Sequence, residues 1–311
     1  MRSAWIQVGV VVGGLFVLTA CTPELPVVDD PCVTWPEPGL YKMTMDGFDR
    51  MPYIYVPATK GPRPAVVMMH GAGGNADKMM HGTTRLLNMA EDGQFVAVFP
   101  TGSGTPTTLS WNAGTCCGPA KLVDATDVAF LDAISDNLKQ RVCVDRVVGA
   151  GHSNGAMMAI RWACEGHGVD AVYSSSGATL VDTCADGTPV PITFEHGLDD
   201  ARVPIDGGLG TADQNGFEWP SHDDSIAPFL ERNQCVGEPS VTKSGQATCS
   251  TWDCAVPTRA CVISDWGHEW AGGANPPDGF NGEAEVTALL DMLSESIDVA
   301  PTTDTDTPGA P

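Results

Sequence analysis

The stretch Gly151-His152-Ser153-Asn154-Gly155 decides the fold of this chain. A predicted strand over 144–149 precedes it, and residues 153–164 follow as a predicted helix. A serine between two such glycines, after a strand and before a helix, is typical of a sharp turn that raises its hydroxyl above the edge of a parallel sheet. The N-terminus of the following helix favours negative charge close to that hydroxyl. The pattern predicts a nucleophilic Ser153, against the alternative of a purely structural turn between glycines.

Apolar strands alternate with helices on both sides of this turn. We predict strands over 51–56, 64–69, 95–99, 144–149, 171–175 and 192–195, and helices over 77–92, 123–141, 153–164 and 283–297. A looser region spans 199–265. Strands separated by helices of this length predict an α/β fold with a mostly parallel central sheet, helices on both faces and a single domain.

A serine hydroxyl needs a base that removes its proton, and in this fold the chain order is serine, acid, histidine. His268 lies between the last predicted strand (261–263) and the closing helix, where the base has to lie. His222 has no strand before it, and His196 would precede the acid. We therefore predict His268 as the base, against the alternative of a surface-loop histidine.

The acid is expected just after the strand at 192–195, where Asp199 and Asp200 are adjacent. Side chains of neighbouring residues diverge, so only one of the two carboxylates can face His268. The residues themselves do not choose between them.

An oxyanion hole requires two backbone N–H donors. We predict one from Asn154, directly after the nucleophile, and one from Ala72 in the glycine-rich loop that follows the strand at 64–69, with Gly73 as the alternative. Glycines in that loop allow the backbone to approach a substrate closely. The other interpretation of the loop is an ordinary strand-to-helix turn.

The N-terminus predicts export. Arg2 precedes an apolar run over 4–17, and the run ends in Leu18-Thr19-Ala20-Cys21. This ending resembles a bacterial lipobox, which implies cleavage before Cys21 and lipidation of its thiol; the alternative is an ordinary secretory signal. We expect a signal peptide over 1–20, a proline-rich tether over 21–38, a catalytic domain over 39–298 and a disordered tail over 299–311.

The chain has 11 cysteines, and ten remain once Cys21 is set aside for lipidation. An even number in an exported chain predicts up to five disulfides. Cys116 and Cys117 are adjacent, and we expect each to pair with a distant partner. The cysteine spacing does not match a zinc site, so no metal is predicted.

Charge limits the choice of partners. The 311 residues carry 16 Lys plus Arg against 39 Asp plus Glu, a formal net charge of −23. This balance excludes an electrostatic nucleic-acid binder and disfavours polybasic membrane docking. The expected membrane contact is therefore the lipid anchor at Cys21.

Five motifs occur in an order that resembles a known family: His70-Gly71 with its glycine-rich turn, Trp111-Asn112-Ala113-Gly114-Thr115-Cys116-Cys117-Gly118, Gly151-His152-Ser153-Asn154-Gly155-Ala156-Met157-Met158, His196-Gly197 through Val203-Pro204, and Gly267-His268-Glu269-Trp270. Over about residues 50–297 the chain looks like the secreted esterases that include feruloyl esterases, acetylxylan esterases and poly(3-hydroxybutyrate) depolymerase-like lipoproteins. The block at 111–118 is the most distinctive of the motifs.

The resemblance implies an α/β-hydrolase fold, no cofactor, Asp200 as the acid three residues before Val203-Pro204, and His268 as the base. The implied substrates are esters of plant cell-wall polysaccharide (feruloyl or acetyl) or short-chain polyester. The chain departs from the family pattern at Asp265-Trp266 and Ala271 and in a longer polar segment at 206–224. Both departures border the expected cleft, so they bear on substrate choice.

Trp111, Trp219, Trp266 and Trp270 fall in loops expected at the active face, where an indole could stack on a sugar or an aromatic acid. We predict Trp111 and Trp270 as substrate-binding residues, with core packing as the alternative for each. Two other functions remain open: a serine peptidase of the same fold, and a non-catalytic lipoprotein that binds its ligand through this fold.

Overall fold

A ten-stranded mixed sheet forms the centre of the computed structural model, which describes residues 22–182, 184, 187–211 and 216–295. The expected signal peptide (1–20), the lipidation site Cys21 and the expected tail (299–311) lie outside the described residues. In the part of the chain that is described, no helix is long and apolar enough to cross a membrane.

The strands follow the chain as β1 (Gly39–Lys42), β2 (Tyr53–Val56), β3 (Arg63–Met69), β4 (Val96–Phe99), β5 (Val144–His152), β6 (Ala171–Ser175), β7 (Ile192–Gly197), β8 (Gly208–Leu209), β9 (Glu218–Trp219), β10 (Val236–Ser244), β11 (Ala247–Asp253) and β12 (Thr258–Ile263). The central sheet has the order β1-β2-β4-β3-β5-β6-β7-β12-β11-β10, and β8 pairs with β9 apart from it. The strands from β4 to β12 in that order are parallel, whereas β1, β2, β11 and β10 extend the two edges in antiparallel pairs. The mostly parallel sheet of the α/β prediction is confirmed.

Helices cover both faces of the sheet. They are α1 (Ala76–Lys78), α2 (Leu86–Glu91), α3 (Gly118–Leu122), α4 (Asp127–Val142), α5 (Asn154–Glu165), α6 (His222–Arg232) and α7 (Gly282–Glu295). One apolar core contains Phe130, Trp162 and Phe229 from α4, α5 and α6. A second core contains Leu86 from α2 and Val286 from α7. Parallel strands buried on both faces read as continuous apolar runs, which is why β3, β4 and β5 are visible in the sequence.

The single helix predicted over 77–92 is wrong. The segment forms α1, a π-helical turn at Met79–Thr83, and α2. Thr84 is extended, with φ −110° and ψ 167°, and its hydroxyl donates to the Met79 carbonyl at 3.0 Å. Gly82 within the turn weakens any continuous helix, because glycine has a low helix propensity. The methionines and leucines retain helical spacing, but they belong to two short pieces.

The region at 199–265 is more regular than predicted, since it contains α6, β10 and β11 in addition to β12, which includes the predicted strand at 261–263. Most of β10 is exposed, and it forms the outer edge of the sheet. An edge strand in solvent has no buried face, so it lacks the apolar alternation from which strands are predicted.

The segment expected as a tether is packed against the domain. Leu25 is buried, and its backbone N–H donates to the Lys42 carbonyl at 2.7 Å. Cys32 forms a disulfide with Cys143 at the end of α4. Over the described residues 22–38, the chain is therefore attached to the catalytic domain and does not form a free spacer.

The structure pairs all ten cysteines other than Cys21: Cys32–Cys143, Cys116–Cys117, Cys164–Cys184, Cys235–Cys254 and Cys249–Cys261. The prediction that Cys116 and Cys117 reach distant partners is wrong, because the two are joined to each other. The peptide bond between them is cis, and their Cα atoms lie 3.1 Å apart.

The Cys32–Cys143 bond closes a loop of 111 residues, whereas Cys249–Cys261 spans 12. A crosslink stabilises partly by restricting the unfolded chain, and the effect grows with loop length. We expect the Cys32→Ser/Cys143→Ser variant to lose about 4–5 kcal/mol of unfolding free energy, against about 3 kcal/mol for Cys249→Ser/Cys261→Ser. Urea unfolding without reductant measures both. An equal or larger loss in the second variant would contradict the loop-length account.

Candidate active site

Ser153 stands on a sharp turn between β5 and α5. Its backbone has φ 58° and ψ −127°, a conformation that a residue with a side chain rarely adopts. A Cβ atom on Gly151 would collide with the backbone of Gly155, and one on Gly155 would collide with the carbonyl oxygen of Met69. The two glycines therefore make the turn sterically possible, and the turn carries the serine to the C-terminal edge of the sheet.

The structure brings Ser153, His268 and Asp200 together in one hydrogen-bonded chain. His268 Nε2 lies 2.8 Å from Ser153 Oγ, and His268 Nδ1 lies 2.6 Å from Asp200 Oδ2. The three residues come from the loops after β5, β7 and β12. These strands are parallel, so their C-terminal ends meet at the same edge of the sheet.

The structure distinguishes between Asp199 and Asp200, which the sequence alone does not. Asp200 is 5% exposed and faces His268, whereas Asp199 is exposed. The other oxygen of Asp200, Oδ1, accepts from the backbone N–H groups of Arg202 and Val203 at 2.8 and 2.9 Å. Burial opposes ionisation of this carboxyl, but the hydrogen bonds from His196 and His268 outweigh burial and hold the pKa of Asp200 well below its usual range.

Ala72 and Asn154, the predicted oxyanion donors, both line the cavity that contains Ser153. Asn154 is the first residue of α5, and the first N–H groups of a helix have no partner within the helix. Ala72 belongs to the loop after β3, the strand beside β5 in the sheet. The two residues thus approach the serine from adjacent strands.

The Asn154 side chain joins this turn to the block at 111–118. Its Oδ1 accepts from the Trp111 backbone N–H at 2.7 Å, and its Nδ2 donates to the Trp111 carbonyl at 3.0 Å. The Trp111 indole N–H in turn donates to the carbonyl of His70, just before the Ala72 loop, at 2.8 Å. The distinctive motif therefore fixes the serine turn and the glycine-rich loop relative to each other.

The prediction that Trp111 binds substrate is wrong. Its side chain is 0% exposed and packs at 5.2 Å from the His70 ring, beneath the cavity. The sequence around a tryptophan in such a loop does not show whether its side chain lines the cavity or packs beneath it. The Trp111 indole packs beneath the cavity.

Trp270, Trp219 and Trp266 line the cavity, which has a volume of about 830 Å³. Trp270 is 5% exposed, and its indole N–H donates to Glu283 of α7 at 2.9 Å. The Trp270 ring is therefore fixed in position, and the small exposed part of it lines the cavity. Lys78 and Arg202 also line the cavity and supply positive charge.

Two histidines near the site carry no role in the sequence prediction. The His152 ring lies 5.1 Å from that of His268, and burial lowers the pKa of His152 to about 3. His196 lies against Asp200. In the sequence, the only feature that marks them is position: His152 directly precedes the nucleophile, and His196 lies near the end of β7.

Removing the Asn154 side chain should destabilise the contact between the serine turn and the block at 111–118. Asn154→Ala leaves the Trp111 N–H unpaired in a buried place and removes the shorter of the two hydrogen bonds to the Trp111 carbonyl. We expect a cost of about 1–3 kcal/mol of unfolding free energy. We expect kcat/KM to fall about 10- to 100-fold, since a displacement of about 1 Å of a positioning loop is sufficient for such a loss. Chemical denaturation and ester hydrolysis measure the two effects. Asn137→Ala on α4 is the control, and wild-type values for Asn154→Ala would contradict the assigned support.

Several known proteins are similar to this chain in sequence or in fold. No protein-family model matches the chain. A putative esterase NocK from Nocardia uniformis subsp. tsuyamanensis is 29% identical over 244 residues, which cover 71% of this chain and 69% of that protein. Feruloyl esterase C from Emericella nidulans is 25% identical over 221 residues, which cover 68% of this chain and 72% of that protein.

Among solved structures, an acetyl xylan esterase from Aspergillus awamori superposes with a TM-score of 0.58 at 15% identity. The match covers 81% of this chain and 98% of that one, and it shows the shared fold. The chain therefore has the α/β-hydrolase fold, and its sequence similarity to esterases that include feruloyl esterase C supports a carboxylic-ester hydrolase.

Proposed function

We propose that Ser153, His268 and Asp200 are the catalytic triad of an exported esterase that works through an acyl-enzyme. The observation that carries this proposal is the position of His268, whose two ring nitrogens lie within hydrogen-bond distance of Ser153 Oγ and Asp200 Oδ2. That arrangement supplies a nucleophile, a base and a group that orients the base.

In the first half-reaction, Ser153 Oγ attacks the ester carbonyl while His268 Nε2 takes its proton. The N–H groups of Ala72 and Asn154 donate to the oxyanion of the tetrahedral intermediate. The intermediate collapses when His268 returns the proton to the leaving alcohol, and the acyl group stays on Ser153. In the second half, His268 deprotonates a water that attacks the acyl-enzyme, and the acid is released.

Asp200 holds His268 so that Nδ1 carries a proton and Nε2 is free to accept one from Ser153. Its carboxylate also stabilises the imidazolium that forms in each half-reaction. The low pKa of Asp200 keeps this group ionised at neutral pH, so the stabilisation is present throughout that range.

The proposed substrates are feruloyl or acetyl esters of polysaccharide, or short-chain polyhydroxyalkanoate polyester. The cavity is lined by indole surfaces of Trp219, Trp266 and Trp270 together with polar groups such as Asn275. Aromatic walls suit sugar rings and aromatic acids. The names of feruloyl esterase C and acetyl xylan esterase, borne by similar proteins, support the same classes.

We also propose that the protein is exported and anchored through lipid on Cys21. Five disulfides among the described residues fit an oxidising compartment. Mass spectrometry of the mature N-terminus from a bacterial host tests the anchor: a diacylglyceryl adduct on Cys21 supports it, and an unmodified N-terminus excludes it.

A substrate panel tests the proposed ester class. Purified protein is given methyl ferulate, acetylated xylan, hydroxybutyrate oligomers and a peptide p-nitroanilide. We expect turnover of at least one ester and none of the anilide. Turnover of the anilide alone would overturn the ester assignment in favour of a peptidase, and inactivity on all four substrates would favour a binding protein.

A further inference from the structure

A second imidazole lies against the carboxylate of Asp200. His196 Nε2 is 3.3 Å from Asp200 Oδ2, the same oxygen that accepts from His268 Nδ1. We propose that His196 is a positioning residue, which fixes the Asp200 carboxylate and moderates its charge toward His268. This inference rests on the proposed triad.

The tautomer of His196 follows from its contacts. Nε2 lies 2.7 Å from the carbonyl oxygen of Val203, and a carbonyl can only accept a hydrogen bond. Nε2 therefore carries a hydrogen, which is shared between the Val203 carbonyl and Asp200 Oδ2. The other ring nitrogen, Nδ1, has no hydrogen-bond partner among the described residues.

His196 thereby contacts both ends of the short turn from Asp200 to Val203. Within the turn, Asp200 Oδ1 accepts from the N–H groups of Arg202 and Val203. Across it, the His196 ring bridges the Asp200 carboxylate and the Val203 carbonyl. The carboxylate has hydrogen-bonding contacts on both oxygens, so its plane and its distance to His268 are set by several groups at once.

The surroundings hold the His196 ring rigidly. The residue is 1% exposed and lies near the end of β7. Its ring meets that of His222, on α6, edge-on at 5.2 Å, and His222 packs against Phe194 of β7 at 6.1 Å. A buried ring packed in this way loses little further freedom when it donates a hydrogen bond.

The titratable groups that surround His196 act in different directions. Burial lowers the pKa of His196, but its hydrogen bond to Asp200 and the charge of Asp200 outweigh burial and hold that pKa above its ordinary value. Glu195, the preceding residue on β7, also raises it. The nearby rings of His222 and His152 have pKa values lowered to about 3 by burial, so both are neutral at ordinary pH.

In either protonation state, the Nε2–H of His196 points positive charge at Asp200. It offsets part of the negative charge on Oδ2 and so weakens the attraction between Asp200 and an imidazolium at His268. Without it, Asp200 would stabilise that imidazolium more strongly. The acid limb of the kcat/KM–pH profile should then move to higher pH, because catalysis requires neutral His268 as the base.

The test compares three substitutions by kcat, KM and the pH profile of ester hydrolysis. His196→Phe keeps a ring but removes the donor, and we expect kcat to fall about 10-fold and the acid limb to rise by roughly 1 pH unit. His196→Gln can place an amide N–H near the position of Nε2, whereas His196→Asn cannot reach it. We expect Gln to restore the wild-type limb better than Asn.

His167→Phe is the control, since it removes another imidazole that lies beside a carboxylate, that of Asp132, but does not line the cavity. Its profile should equal that of the wild type. A His196→Phe enzyme with the wild-type limb would overturn the inference, and so would equal profiles for Gln and Asn. If His196→Phe does not fold, the Gln and Asn pair still decides. Failure of the triad is recognised separately, because Ser153→Ala would then retain activity.

Discussion

Replacing Ser153 with alanine is expected to lower kcat by about 10⁶, the loss seen when a serine hydrolase loses its nucleophile. The substitution removes the atom that attacks the ester and leaves the cavity and oxyanion donors in place. Hydrolysis therefore continues only through direct attack by water. Initial rates on p-nitrophenyl acetate with purified protein measure the effect, corrected for the spontaneous reaction.

Alanine at this position is not expected to unfold the protein. Ser153 has a positive φ, which alanine adopts no less readily than serine, and the close packing of the turn comes from Gly151 and Gly155. Ser240→Ala on the exposed strand β10 is the control and should keep full activity. Wild-type rates in folded Ser153→Ala would exclude this serine as the nucleophile.

Asp200→Asn is expected to lower kcat by about 10⁴, by analogy with the same acid-to-amide change in a serine protease triad. An amide N–H facing His268 Nδ1 would favour the wrong tautomer, and the charge that stabilises imidazolium would be lost. KM should change far less, because Asp200 is behind the imidazole. Steady-state kinetics on a soluble ester separate the two constants.

Asp199→Asn is the matched control for this change, because the adjacent carboxylate is exposed and contributes only its backbone N–H to Trp266. It should retain at least about half of the wild-type kcat, as surface substitutions usually have small effects. If Asp199→Asn were the crippling variant, the assignment of the acid would be wrong.

The central elements of this fold could be predicted from the sequence because burial leaves a pattern. β4 is apolar throughout, β3 is apolar after Arg63, and β5 is apolar over 147–150. The glycines around Ser153 indicate the turn that joins β5 to α5. By contrast, β10 is polar and exposed and has no periodic signal, and the helical spacing around α2 does not reveal where α1 ends and α2 begins. A local pattern therefore identifies strands that are buried, but it does not identify an exposed edge strand or the ends of short helices.

Some residues of the site can also be predicted from the sequence, whereas others cannot. Chain order and the predicted strand before it single out His268, since the base has to follow the acid and His222 has no predicted strand before it. The choice between Asp199 and Asp200 depends on which side chain turns inward, and adjacent residues do not record that. The buried position of Trp111 depends on its hydrogen bonds to Asn154 and His70, which are distant in sequence. Such contacts exist only once the chain has folded.

The Cys116–Cys117 pair and the position of His196 differ from what the sequence predicts. Adjacent cysteines are expected to pair with distant partners, and a histidine before the acid does not fit the chain order required of the base. In the fold, the two cysteines join each other, and the histidine contacts the acid itself. Both features follow from local backbone geometry that the residue types do not specify.

The most direct test of the proposed triad is covalent labelling with a fluorophosphonate probe, followed by peptide mass spectrometry. Such probes react with a serine whose hydroxyl is activated by a neighbouring base. The account predicts one adduct, on the peptide that contains Ser153, with loss of esterase activity in proportion to labelling and no adduct in His268→Ala. An adduct on another serine, or an active enzyme that takes up no label, would contradict it.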